Sequence, residues 1–225
     1  MKAGISTSKA QHFAERHQLL VAGTSLAEAD KVSLLIHGRH ANAEVILPLA
    51  DRLATPGLCF LAPSAETGSW YPGLFMGPIS TNEPFLTESL GRLGTILTSV
   101  QELGFEMTTE IFLTGFSQGA CLVVEYAARH PRRYAGVLGF TGGRIGPDPM
   151  RGEESGSFAG TPVFLGCSEN DPFIPAKRVI ETAAYLTHHG AQVTTRFYPG
   201  SDHIITDDQI AHGIGILASD VTADT

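Results

Sequence analysis

One serine with a glycine two residues to either side, in "IFLTGFSQGACLVVEYAARHP" (residues 111–131), constrains this chain more than any other stretch. Ile111 to Thr114 are apolar or β-branched and predict a short buried strand. Ala120 to Arg129 are helix formers, and His130-Pro131 supplies a stop. Ser117 therefore falls where a strand turns abruptly into a helix. Such a turn crowds the positions two residues before and after its apex, and Gly115 and Gly119 have no Cβ to be crowded. The apex hydroxyl points away from the sheet, beside the unpaired N–H groups of the helix start. This is the local pattern of a nucleophile elbow, G-x-S-x-G.

The rest of the chain repeats the strand–turn–helix rhythm. Gln18 to Thr24 predicts a leading strand, "KVSLLIHG" a second, and "ANAEVILPLADRL" a helix before the strand "LCFLAPS". A long connection (64–83) precedes a helix from Pro84 to Leu103 and then the elbow. Strand "YAGVLGFTG" leads into a Gly/Pro-rich loop through residue 160. Strand "TPVFLGC", helix "PAKRVIETAAYLTHHG", strand "AQVTTRFYP" and a last helix from Ile204 to Ala218 follow. Buried strands alternating with amphipathic helices predict a single α/β domain over 1–225, with a mostly parallel twisted sheet and helices on both faces. Ligands gather at the carboxyl ends of such strands.

Bulk properties exclude several classes. The 225 residues suffice for one sizeable core. Fifteen Lys plus Arg against 23 Asp plus Glu leave a net charge of −8 without a basic cluster, which argues against a nucleic-acid or anionic-membrane partner. The amino-terminal stretch is broken by charged residues and lacks a signal-peptide core, and no apolar segment approaches membrane-spanning length. Cys59, Cys121 and Cys167 match no metal or redox spacing and read as buried thiols of a cytoplasmic protein.

A serine hydroxyl needs a base to take its proton, and the base needs an orienting acid. Both are expected at later strand ends, acid before histidine. "SENDPFIP" offers Glu169 and Asp171, and "GSDHII" offers Asp202 and His203. We take Asp171 as acid and His203 as base. The other role open to Asp171 is to begin a turn or cap a helix. His130, His188, His189 and His212 sit in or at the ends of helices and follow no strand. The developing oxyanion needs two donors. The main-chain N–H of Gln118 supplies one, and the loop in "LLIHGRHA" the other, from Arg39 or His40, with Arg39 favoured. His37 then braces this loop. His37 and His40 have no local carboxylate or cysteine to complete a metal site.

With these residues assembled, the chain resembles the α/β-hydrolase superfamily, and within it the phospholipase/carboxylesterase family of small bacterial carboxylesterases and acyl-protein thioesterases. The likeness runs from "LLIHGR" through "LAPSAETGSWY" and "IFLTGFSQGA" to "DPFIP" and "GSDHII", with Gln118 after the nucleophile its most specific mark. It implies Ser117, Asp171 and His203 as triad, Arg39 and Gln118 as oxyanion donors, and Trp70 near the pocket. One departure stands out: relatives carry HG-x-G, and here His40 replaces the second glycine.

The resemblance implies hydrolysis of a small-molecule carboxylic ester, thioester or lysophospholipid through an acyl-enzyme. It implies no metal or organic cofactor, and homodimerisation is common among relatives. Amide or peptide hydrolysis runs on the same triad, and a noncatalytic ligand binder is the alternative outside catalysis. In "SWYPGLFMGP", Trp70 and Phe75 are candidate substrate contacts on an apolar wall. The competing role for this segment is packing over the sheet edge or against another subunit.

Overall fold

A computed structural model describes residues 5–147 and 155–219. Seven strands make one sheet: β1 (Leu19–Gly23), β2 (Lys31–Ile36), β3 (Leu58–Pro63), β4 (Ile111–Phe116), β5 (Gly136–Phe140), β6 (Pro162–Ser168) and β7 (Gln192–Tyr198). Their order is β1-β3-β2-β4-β5-β6-β7, with β1 antiparallel and all other pairs parallel. Strand order reverses between β2 and β4, the place where an open parallel sheet leaves a crevice at its carboxyl edge.

The helices are α1 (Thr7–His17), α2 (Ala43–Ile46), α3 (Pro48–Arg52), α4 (Phe85–Glu102), α5 (Gln118–Arg129), α6 (Ala176–His188) and α7 (Asp207–Ala218). Side-chain alternation along each strand divides the core in two. Leu34, Leu113, Val137 and Leu165 pack with α4, α5 and α6 on one face. Leu35, Phe60, Phe112, Leu138 and Phe164 pack with α2, α3 and α7 on the other. Each large side chain so buried stabilises the fold by roughly 1.5–3 kcal/mol, which is why these near-continuous apolar strands read clearly.

Three elements differ from the sequence expectation. Helix α1, unpredicted, is capped by Ser6, whose hydroxyl accepts from Lys9 N–H, and it buries only Ala10 and Phe13, too narrow a stripe to register. The helix expected over 41–53 is interrupted at Leu47-Pro48. Leu47 keeps helical angles, but Pro48 has no N–H to continue the ladder. The last helix begins at Asp207 rather than Ile204, because Thr206 caps it by accepting from Gln209 N–H. Of the Gly/Pro-rich loop through residue 160, residues 148–154 lie outside the described residues.

Candidate active site

The elbow forms where β4 hands over to α5. Ser117 is held at φ 54° and ψ −120°, its N–H donating to Phe140 O at 3.0 Å. The glycines answer to backbone, not to space in general. A Cβ on Gly119 would sit 2.2 Å from Ile36 O, and one on Gly115 would sit 2.4 Å from Gly119 O. Any side chain at either position would push the turn open.

Two later strand ends deliver the partners. After β6, the Asp171 carboxylate is fixed by Phe173 N–H and Ile174 N–H, which donate to Oδ1 at 2.9 and 2.8 Å. After β7, the chain is tied back to this loop through Asn170 N–H to Gly200 O and Ser168 Oγ–H to Asp202 O. His203 thereby faces both groups: Nδ1 lies 2.8 Å from Asp171 Oδ2, and Nε2 lies 2.8 Å from Ser117 Oγ. The carboxylate can only accept, so Nδ1 carries the proton and Nε2 presents its lone pair to the serine hydroxyl. The Asp171 side chain is fully buried and the imidazole 19% exposed. Glu169 and Asp202, the other acids at these strand ends, are exposed, and neither bonds the imidazole.

The loop after β2 lies against the elbow: a Cβ on Gly38 would be 3.3 Å from Ser117 Cβ. His40, standing in the second-glycine position, takes the left-handed conformation with φ 58° and keeps the turn a glycine would make. Neither Arg39 N–H nor Gln118 N–H is taken up by another described residue, which leaves both free for an incoming oxyanion. His37 braces the loop as expected. Its Nδ1–H donates to Gly38 O at 2.7 Å, and its Nε2 accepts Ala65 N–H at 2.9 Å. Burial lowers its pKa below the ordinary 6.5. With both nitrogens occupied, His37 has no lone pair for a metal. Among the described residues no cluster of three His, Cys, Asp or Glu side chains suits a metal ion.

A mostly apolar cavity of about 450 Å³ opens over Ser117, walled by Tyr71, Leu74, Phe75 and Met76 on one side and Pro172 to Pro175 on the other. Phe75, one of the two candidate contacts, is part of this wall. Trp70, the other, is 2% exposed, lies outside the cavity lining, and its Nε1–H donates to His37 O at 2.9 Å. An indole in the interior needs an acceptor for its N–H, and that bond draws the ring into the core instead of the pocket. Cys121 also lines the cavity, but burial pushes its thiol pKa up to about 12, so it remains protonated beside the serine.

Several positioning residues escaped the sequence. The Gln118 side chain accepts Trp70 N–H at 3.0 Å and donates to Tyr71 O at 2.8 Å. Asn82, fully buried, accepts Gly73 N–H at 2.7 Å and donates to Leu74 O at 3.0 Å. Arg39 donates from its guanidinium to Pro72 O and Gly73 O. These bonds hold the 70–76 strap as a fixed wall. Their partners are main-chain atoms, eight or nine residues away for Asn82 and more than thirty for Gln118 and Arg39, so no local pattern announces them.

The sheet order, the elbow and the three converging side chains define an α/β-hydrolase. A match to the Phospholipase/Carboxylesterase family spans residues 64–214, and the chain belongs to that family, whose members include carboxylic ester hydrolases. A phospholipase/carboxylesterase from Dyadobacter fermentans is 35% identical, with a TM-score of 0.85 over 89% of this chain and 96% of that one. The Bacillus cereus carboxylesterase has the same fold at 20% identity, with a TM-score of 0.74 over 92% of this chain and 97% of its own. No curated protein matches the sequence. The protein is accordingly a carboxylic ester hydrolase of the α/β-hydrolase type.

Proposed function

We propose that the protein cleaves small carboxylic esters, with thioesters and lysophospholipids in the same chemical range, by a Ser117–His203–Asp171 triad and an acyl-enzyme. The reading rests on the unbroken hydrogen-bonded path from Asp171 Oδ2 through the imidazole to Ser117 Oγ, two contacts of 2.8 Å. Ser117 Oγ attacks the carbonyl carbon as its proton passes to His203 Nε2. The oxygen that becomes negative is met by the N–H groups of Gln118 and Arg39. When the tetrahedral intermediate collapses, Nε2 returns the proton to the leaving oxygen or sulfur. Water, deprotonated by the same imidazole, then releases the acid. Asp171 keeps Nδ1 protonated and stabilises the imidazolium formed at each step. The apolar wall that includes Phe75 favours uncharged acyl and alkyl groups over polar ones. Three unbridged, buried cysteines support a reducing compartment, the cytoplasm.

The test is a panel of p-nitrophenyl esters, thioesters, lysolipids and amides on wild type and Ser117→Ala, with a fluorophosphonate probe alongside. Wild type is expected to label at residue 117 and turn over esters, and Ser117→Ala to do neither. Wild type that resists the probe and leaves every ester intact overturns the reading.

A further inference from the structure

The His203 imidazole contacts two phenylalanine rings. Phe116 is 5.2 Å away between centroids and tilted by 44°, and Phe173 is 5.0 Å away and edge-on at 73°. The rings differ in what else they meet. Phe116 packs against the core on the α2, α3 and α7 face and lies outside the cavity lining. Phe173 is 65% exposed and borders the cavity directly. It is also held in register with the base. The carboxylate that accepts from Phe173 N–H and Ile174 N–H through Oδ1 accepts from the imidazole through Oδ2. One buried group thus fixes the main chain of Phe173 and the imidazole in a common frame.

Acyl transfer imposes a geometric rule on such a frame. As the Ser117 Oγ–acyl bond forms and the acyl–oxygen bond breaks, the proton taken from Oγ travels through Nε2 to the departing oxygen, which leaves as a neutral alcohol. The carbons bonded to that oxygen therefore lie against the imidazole, on the side the cavity reaches. That side carries Phe173.

We propose that Phe173 determines leaving-group specificity, its ring forming an aromatic contact surface that favours arylmethyl and aryl esters over short alkyl ones. The proposal rests on the ester-hydrolase reading of Ser117 and names the alcohol side of its substrate.

Benzyl acetate and ethyl acetate share one acyl-enzyme, so the ratio of their kcat/KM values reports acylation and the alcohol alone. Wild type is expected to prefer benzyl acetate. Phe173→Ala should narrow the ratio roughly five- to tenfold, the range of a lost aromatic contact in a pocket. Phe173→Leu, which keeps apolar bulk without the ring, should narrow it less. The ratio of ethyl hexanoate to ethyl acetate should not move. A benzyl-to-ethyl ratio that survives Phe173→Ala, whether both rates hold or fall together, overturns the proposal. So does an equal change in the hexanoate-to-acetate ratio, which would place the ring on the acyl side. Fluorophosphonate labelling separates the two levels. Variants that label like wild type with an unmoved ratio sink this proposal alone, whereas wild type that neither labels nor cleaves either ester removes the reading beneath it.

Discussion

At Ser117 the backbone sits at φ 54° and ψ −120°, a conformation that costs a non-glycine residue on the order of 1–3 kcal/mol and persists because its surroundings leave no alternative. The cost is confined to one residue because its neighbours at 115 and 119 carry no Cβ. The same economy governs Asp171: Oδ1 holds its own loop and Oδ2 holds the base. Asp171→Asn should lower kcat by about 10³–10⁴-fold with little change in thermal stability. An amide NH₂ turned toward Nδ1 would favour the tautomer whose Nε2 carries the proton and cannot accept one from Ser117. Steady-state kinetics beside a melting curve checks this, and a loss below tenfold would contradict the role. The residues of this chemistry were legible because elbow, acid and histidine each follow a strand. Asp171 was chosen over Glu169 in the sequence, and the turn through Phe173 and Ile174 is what holds its carboxylate toward the imidazole. An indole such as Trp70 reads the same in a wall and in a core.

Among the elements, the 70–76 strap carries the most function with the least secondary structure of its own. It is held from beneath by Gln118 at the start of α5, from behind by Asn82 before α4, and from the side by Arg39 after β2. The Gly146 N–H, donating to Phe75 O at 2.7 Å, ties its far end to the segment after β5. Asn82→Ala would strand Gly73 N–H and Leu74 O and should destabilise the protein by about 2 kcal/mol. It should also raise KM for apolar esters several-fold with a smaller effect on kcat, since the wall is displaced and the triad is not. Denaturant titration and ester kinetics on one variant test both. Equal losses in KM and kcat would show that the strap also orders the reacting groups. Strands and most helices were legible from periodicity. The Leu47-Pro48 interruption and helix α1 were less so, the first because the backbone angles continue through a missing N–H, the second because only two of its residues are buried.

For the whole molecule, acid sensitivity follows from His37 and His17, both with pKa values lowered below 6.5 chiefly by burial. Unfolded, each takes up its proton near 6.5; folded, uptake waits for lower pH. In that window the unfolded chain binds more protons, so this stability is complete above pH 6.5 and falls as pH drops below it. The fall is at most about 1.4 kcal/mol per pH unit from His37 and less from the more solvent-screened His17. Urea unfolding between pH 8 and 5 should show this decline, and His37→Gln, which keeps an acceptor for Ala65 N–H, should flatten it. An identical slope in wild type and variant would remove His37 from the account. Legible in the residues alone were the sheet, the elbow, the family and the three polar side chains that the fold brings together, because each is announced by a short pattern of burial, turn chemistry or motif at a strand end. The pocket was settled only by folding. Which face of Gln118 pins the strap, where Trp70 buries its N–H, and that Phe173 stands beside the base all depend on distances between segments remote in the chain, and no local periodicity encodes them.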